Sequence, residues 1–182
     1  MTTDQQLPMR RRSLGDLSPN PYPPSAVANF FLSKSSEITQ MQLHKLLYYA
    51  HGWYLAVVGK PLLNEMIGAW KHGPVVPSLY YDLKKFGARP VDRLAKAIDR
   101  TTRLRLAPRI DKSDHLVRSL LERVWIVYGG LSGRRLSQMT HAPDTPWRAV
   151  RERNPDLFGV DIPNEEIRMH FRARLVGGEP HD

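Results

Sequence analysis

The stretch from Gln40 to Val58 constrains this chain more than any other. Unrolled at about 100° per residue, Leu43, Leu46, Leu47, Ala50, Trp53, Tyr54, Val57 and Val58 fill one broad face, with Met41, Tyr48, Tyr49 and Leu55 around the rest. Polar side chains are few: Gln42, His44, Lys45 and His51. A helix that is apolar nearly all round must be covered on most sides, so the sequence predicts a central helix with others packed about it. Thr39 and Gln42 have capping-box spacing, Ile38 can staple onto Leu43, and Gly59 can supply a left-handed stop.

The rest of the chain supplies candidates to cover it. Ser25 reads as the cap of a short helix through Val27, Phe30 and Phe31. Residues 66–76 carry two glycines and a proline without helical period and read as an extended segment and turn. Pro77 or Ser78 opens a helix through Leu79, Leu83 and Phe86, ended by Gly87. Residues 88–112 are ambiguous: Val91, Leu94, Ala95 and Ile98 have helical spacing, whereas 103–106 alternate as a strand does. Ser113 is expected to cap an amphipathic helix that stops at Gly129, and Ser132 to cap another. A short helix is expected over 145–153, and a last one from Pro163–Asn164, with Glu165 and Glu166 in its first turn. The expectation is a mainly α, single-domain globule of six to seven helices with at most a small strand element. It would span 25–177, with a flexible Pro- and Arg-containing tail over 1–24 and a short tail over 178–182.

Composition removes several classes of function. There is no cysteine among the 182 residues, so disulfide scaffolds, thiolate zinc sites and cysteine nucleophiles are excluded. The longest apolar run, Tyr48–Val58, is broken by His51 and falls short of the ~20 residues that a membrane span needs. No apolar run of signal-peptide length follows the Arg10–Arg12 triplet, and the expected compartment is the cytoplasm. The net charge is +9, concentrated between Lys84 and Arg123, where twelve Lys or Arg face five acids. Such a field attracts an acidic protein, a nucleic acid or an anionic surface. No RNP-like string, Arg/Gly repeat or finger spacing supports nucleic acid.

Motifs for catalysis are missing. His44 and His51 share a helix face but lie about 10.5 Å apart along the axis, too far to ligate one metal, and His72 and His141 read first as hydrogen-bonding structural residues. Gly129–Gly133 lacks the spacing of a nucleophile elbow. No P-loop or dinucleotide fingerprint occurs, and no carboxylate pair is evident. No catalytic residue, metal or cofactor is expected. What remains is aromatic: Tyr48, Tyr49, Trp53 and Tyr54 on the central helix, then Trp70, Tyr80 and Tyr81. Core packing accounts for such residues taken singly. Together with basic neighbours they also suit an interface with an acidic partner.

The strings themselves carry a resemblance. His44–Ala56, then Gly59–Leu63, then Ala69–Pro77 with Tyr80, and later Leu136–His141 with Pro146–Trp147, resemble the Panacea domain, the SocA-like antitoxin family. The resemblance covers about 25–175 and leaves out the tail over 1–24. It implies a mostly helical bacterial domain acting as an antitoxin, which binds and neutralises a co-encoded protein toxin, by blocking it or by delivering it to a housekeeping protease. The family-motif and candidate partner-binding residues are Tyr48, His51, Trp53, Trp70, His72, Pro74, Tyr80, Thr140, His141 and Trp147. The expected partner is a toxin with an acidic contact surface, with a cytoplasmic protease as a second partner. The alternatives that stay open are a basic DNA-binding regulator of its own operon, using residues 84–123, and a helical hydrolase or transferase with a site assembled in three dimensions.

Overall fold

The computed structural model describes residues 21–99 and 101–177. Residues 1–20 of the expected tail over 1–24, and the expected tail over 178–182, lie outside them, whereas Tyr22 pairs with Leu62 and Asn64 and Pro24 opens the first helix. The chain runs α1 (Pro24–Leu32), α2 (Gln40–Val58), β1 (Ile67–Trp70), β2 (Gly73–Val75), α3 (Pro77–Leu83), a 3-10 turn (Lys84–Phe86), β3 (Ala97–Ile98), β4 (Arg105–Leu106), α4 (His115–Tyr128), α5 (Gly133–Thr140), α6 (Pro146–Arg153), β5 (Asp161–Ile162) and α7 (Asn164–Gly177). It is mainly helical with a small strand element, as the hydrophobic periodicity predicts.

Helix α2 is the central element. Thr39 Oγ1 accepts from the Gln42 N–H, and Gly59 closes the other end at φ +77°. The reciprocal half of the capping box does not form. Gln42 instead spends its amide on a longer link, donating to the Gly129 and Leu131 carbonyls and tying the end of α4 to α2. Two other caps shift by one or two residues. Helix α1 starts at Pro24 after Pro23, because proline at the first position has its φ preset and no N–H to satisfy. Helix α4 is capped by Asp114, whose carboxylate accepts from the Val117 N–H. Ser113 instead closes a turn on Asp111. Ser132 and Thr145 cap α5 and α6 as their positions suggest.

Helix α7 lies across α2. Phe171 sits among Tyr48, Tyr49 and Trp53 at centroid distances of 5.6, 5.9 and 5.0 Å, each edge-on. Tyr49 stacks flat on Tyr128 of α4 at 4.1 Å. The aromatics of the central helix are thus mostly mortar between α2, α4 and α7. His51, fully buried, fixes two further connections: Nδ1 accepts from the Leu63 N–H, so the proton is on Nε2, which donates to Asn164 Oδ1 at the start of α7.

Residues 66–76 form the expected extended segment and turn. Strands β1 and β2 pair as a hairpin, Ala69 opposite Pro74 and Trp70 opposite Gly73, and β5 adds to the other edge of β1. Among its described residues, the ambiguous stretch 88–112 holds no helix. It follows two long-range anchors. Asn29 donates to the Ala95 and Pro108 carbonyls and accepts from the Ala95 N–H. Asp82 takes Arg93 at 3.0 Å, Arg105 at 2.5 Å and the Lys96 N–H at 2.9 Å. Burial would push the Asp82 carboxyl up, but these donors outweigh it and hold it below the usual range. Among the described residues, no helix is long and apolar enough to cross a membrane.

Candidate functional site

The β1–β2 hairpin leans over the N-terminal half of α2, and the space between them is a groove of about 610 Å³. Its walls come from α2, the hairpin, α3, the residues after the 3-10 turn, the start of α5 and Phe158. The Trp70 ring forms the centre of an aromatic row. Tyr80 lies 4.8 Å from it on one side and Phe158 4.9 Å on the other. Phe158 is 72% exposed. With the half-buried Trp70 and Tyr80 it makes a contiguous aromatic patch, and such patches rather than single exposed rings mark interaction surfaces.

The charged lining has one sign. Lys45, Lys71 and Arg134 face the groove, His44 and His72 lie beside them, and no lining residue is acidic. Lys71, His72 and Arg134 are exposed on the rim. Lys45 is 1% exposed and donates from Nζ to the Pro74 carbonyl at 3.0 Å. Burial drags its amine down to about 7. His44 accepts at Nδ1 from the Val76 N–H, and burial together with the neighbouring Lys45 pulls it down to about 3. The hairpin turn comes this close because residue 73 is glycine. It has φ +104°, and a Cβ there would stand 2.8 Å from Lys45 Nζ and 2.9 Å from Thr140 Oγ1.

Behind the hairpin a second layer holds it in place. Trp147 Nε1 donates to the Trp70 carbonyl at 2.8 Å, and the Trp147 ring stacks on His141 at 3.8 Å and 8°. Ser137 donates to the His72 carbonyl. Burial, then Lys45, His72 and Arg148, push His141 below its ordinary value.

The ten residues singled out from sequence therefore fall into three groups. Trp70, His72 and Tyr80 line the groove. Pro74, Thr140, His141 and Trp147 form the adjoining support. Tyr48 and His51 are interior on the α7 side of α2, and Trp53 donates to Tyr128 while lining a separate groove of about 490 Å³ between α2, α4 and α7. Sequence reasoning did not place His44, Lys45, Lys71, Arg134 and Phe158 at the site. Lys45 did carry a signal, since a lysine inside a helix apolar all round has to be buried, and buried lysines are rare without a partner. Phe158 had none, lying 88 positions from Trp70 in a turn.

Comparison with known proteins gives one family match and one curated relative. The family model described as antitoxin SocA-like, Panacea domain, matches residues 43–148, which include the hairpin, α5 and the start of α6. The antitoxin SocA of Caulobacter vibrioides (strain NA1000 / CB15N) is 33% identical over 160 residues, covering 83% of this chain and 83% of that protein. No solved structure matches the chain.

Proposed function

The chain belongs to the SocA-like antitoxin family with a Panacea domain, and on that premise we propose that it neutralises a protein toxin encoded beside it by binding it directly. The binding unit is the helical domain over 25–177, and the docking face is the groove around Trp70. It works by holding a macromolecule, with no catalytic group of its own, and it does so in the cytoplasm. The observation that carries this reading is the aromatic row Tyr80–Trp70–Phe158 beside a rim that bears Lys71 and Arg134 and no acid. Aromatic anchors with arginine are what dominate interface energies, and an all-positive rim selects an acidic contact surface.

Delivery to a housekeeping protease is the second half of the proposal and falls to residues 1–24. Deleting residues 1–20, which spares Tyr22 and the start of α1, leaves toxin binding intact and lengthens the toxin's lifetime in the cell; equal lifetimes would assign those residues no part in delivery. The direct test is co-expression with the product of the adjacent gene. A stable complex together with rescued growth supports the reading, and the absence of both ends it.

A further inference from the structure

The groove contains donors that no described residue satisfies. His44 accepts at Nδ1 from a backbone N–H, so the neutral ring carries its proton on Nε2. That Nε2 is buried and has no hydrogen-bond partner, in a residue only 3% exposed. Lys45 has three donors, one hydrogen bond, to the Pro74 carbonyl, and no carboxylate within ion-pair distance among the described residues. Behind the hairpin, outside the groove lining, His141 Nε2 is also buried with no partner among the described residues, and Lys45 and His72 both bear electrostatically on that ring. A buried amine without a counter-charge is costly, and a buried donor without an acceptor adds to that cost. Both are relieved by one event, the arrival of an anionic acceptor.

We propose that this groove accepts a carboxylate carried beside an aromatic side chain on a segment of the bound toxin, with Lys45 Nζ and His44 Nε2–H as its donors and the Trp70 row as the platform for the ring. The assignment rests on the antitoxin reading above and makes its chemistry specific. Charge complementarity fixes the sign, because every charged lining residue is cationic. The apolar half follows from Trp70, Tyr80, Phe158 and Met41, the last of which is 39% exposed. Lys71 and Arg134 on the rim draw the acid in, and the buried pair holds it. The neutral state of the His44 ring suits the role, since it donates at Nε2 without adding a second buried charge beside Lys45.

The test uses the full chain and two probes that share the aromatic ring and differ at one end, N-acetyl-L-phenylalanine with its carboxylate and N-acetyl-L-phenylalaninamide with a neutral carboxamide, followed by NMR. The acid is expected to shift the His44 Nε2–H and Lys45 side-chain resonances and to bind at least about tenfold more tightly than the amide, as a charge-assisted contact requires. Lys45→Met is expected to remove that preference. Equal binding of acid and amide, or an undiminished preference in Lys45→Met, overturns the proposal. A readout in the unsubstituted protein guards against a variant that does not fold. The Lys45 amine must titrate at higher pH in the presence of the acid and unchanged with the amide, and no such shift overturns it equally. The acid must also displace the co-encoded toxin; binding without displacement refutes the toxin as the source of the carboxylate. Failure to form any toxin complex would instead count against the antitoxin reading, and the acid–amide comparison is independent of it.

Discussion

Gly52 has no side chain because Phe171 occupies its place. A Cβ on Gly52 would lie 2.2 Å from Phe171 Cε2 and 2.6 Å from Cζ. Glycine in mid-helix ordinarily costs about 1 kcal/mol against alanine, so α2 gives up local preference to let α7 approach. Gly52→Ala should therefore act against helix propensity and lower stability by about 1–3 kcal/mol, the range for overpacking a close-packed interior. Urea denaturation measures it, and a stability equal to or above the parent would show that α7 yields easily.

Asn29 is the peg on which the segment 88–112 hangs. It is 1% exposed and satisfies two carbonyls and one N–H of that segment. Asn29→Ala strands those backbone groups and should cost about 2–4 kcal/mol, since each buried orphan costs roughly 1–3 kcal/mol. Hydrogen exchange should rise first at Ala95 and its neighbours while the amides of α2 stay protected. Uniform loss across α2 would mean that the segment is no separable unit.

Acid sensitivity follows from the buried imidazoles. Burial holds His51 down to about 4 from an ordinary 6.5, against the Asn164 bond that favours its charged form. The unfolded ring takes up its proton near 6.5 and the folded one only near 4, so the unfolded state binds more protons in between. Stability is then complete above about pH 6.5 and falls as pH drops toward 4, by about 3 kcal/mol from His51 alone at 1.36 kcal/mol per pH unit. His44, lowered to about 3, steepens the same slope. Denaturant midpoints at pH 7 and pH 4.5 measure the fall; equal midpoints would contradict it.

Lys45 produces the opposite end of the profile. Its amine is pulled to about 7 by burial, from an ordinary 10.5. Above pH 7 the folded protein releases this proton while the unfolded chain keeps it, so stability should climb from pH 7 to pH 9. In Lys45→Met that climb should vanish. Parallel profiles for the two proteins would show that the amine is not held in the interior.

Much of this arrangement was legible in the sequence, for reasons that differ by region. Helix α2 was readable because an all-apolar stretch has one solution, and the family was readable from the strings on α2 and the hairpin that follow one another in the chain. The caps of α1 and α4 were displaced because Pro24 and Asp114 offer better local chemistry than the serines beside them. Residues 88–112 could not be read locally, since Asn29 and Asp82, on other helices, decide their course. The same limit applies to the site. Trp70, His72 and Tyr80 are close in the chain and meet in one groove. On α2, by contrast, periodicity could not say which side of the helix meets α7, where Tyr48 and His51 lie, and which meets the hairpin, where His44 and Lys45 lie.

Calorimetric titration with the product of the adjacent gene, the partner proposed above, is the most direct measurement of whether the groove is a docking face. The groove variant is Phe158→Asp with Lys71→Glu and Arg134→Glu, all three exposed, and the control is Ile126→Asp on α4, 69% exposed and outside the groove. The parent and the control should bind, and the groove variant should lose at least about thirtyfold in affinity, the scale of removing one interface hot spot. Undiminished affinity in the groove variant, with the loss appearing in Ile126→Asp, would contradict the groove as docking face.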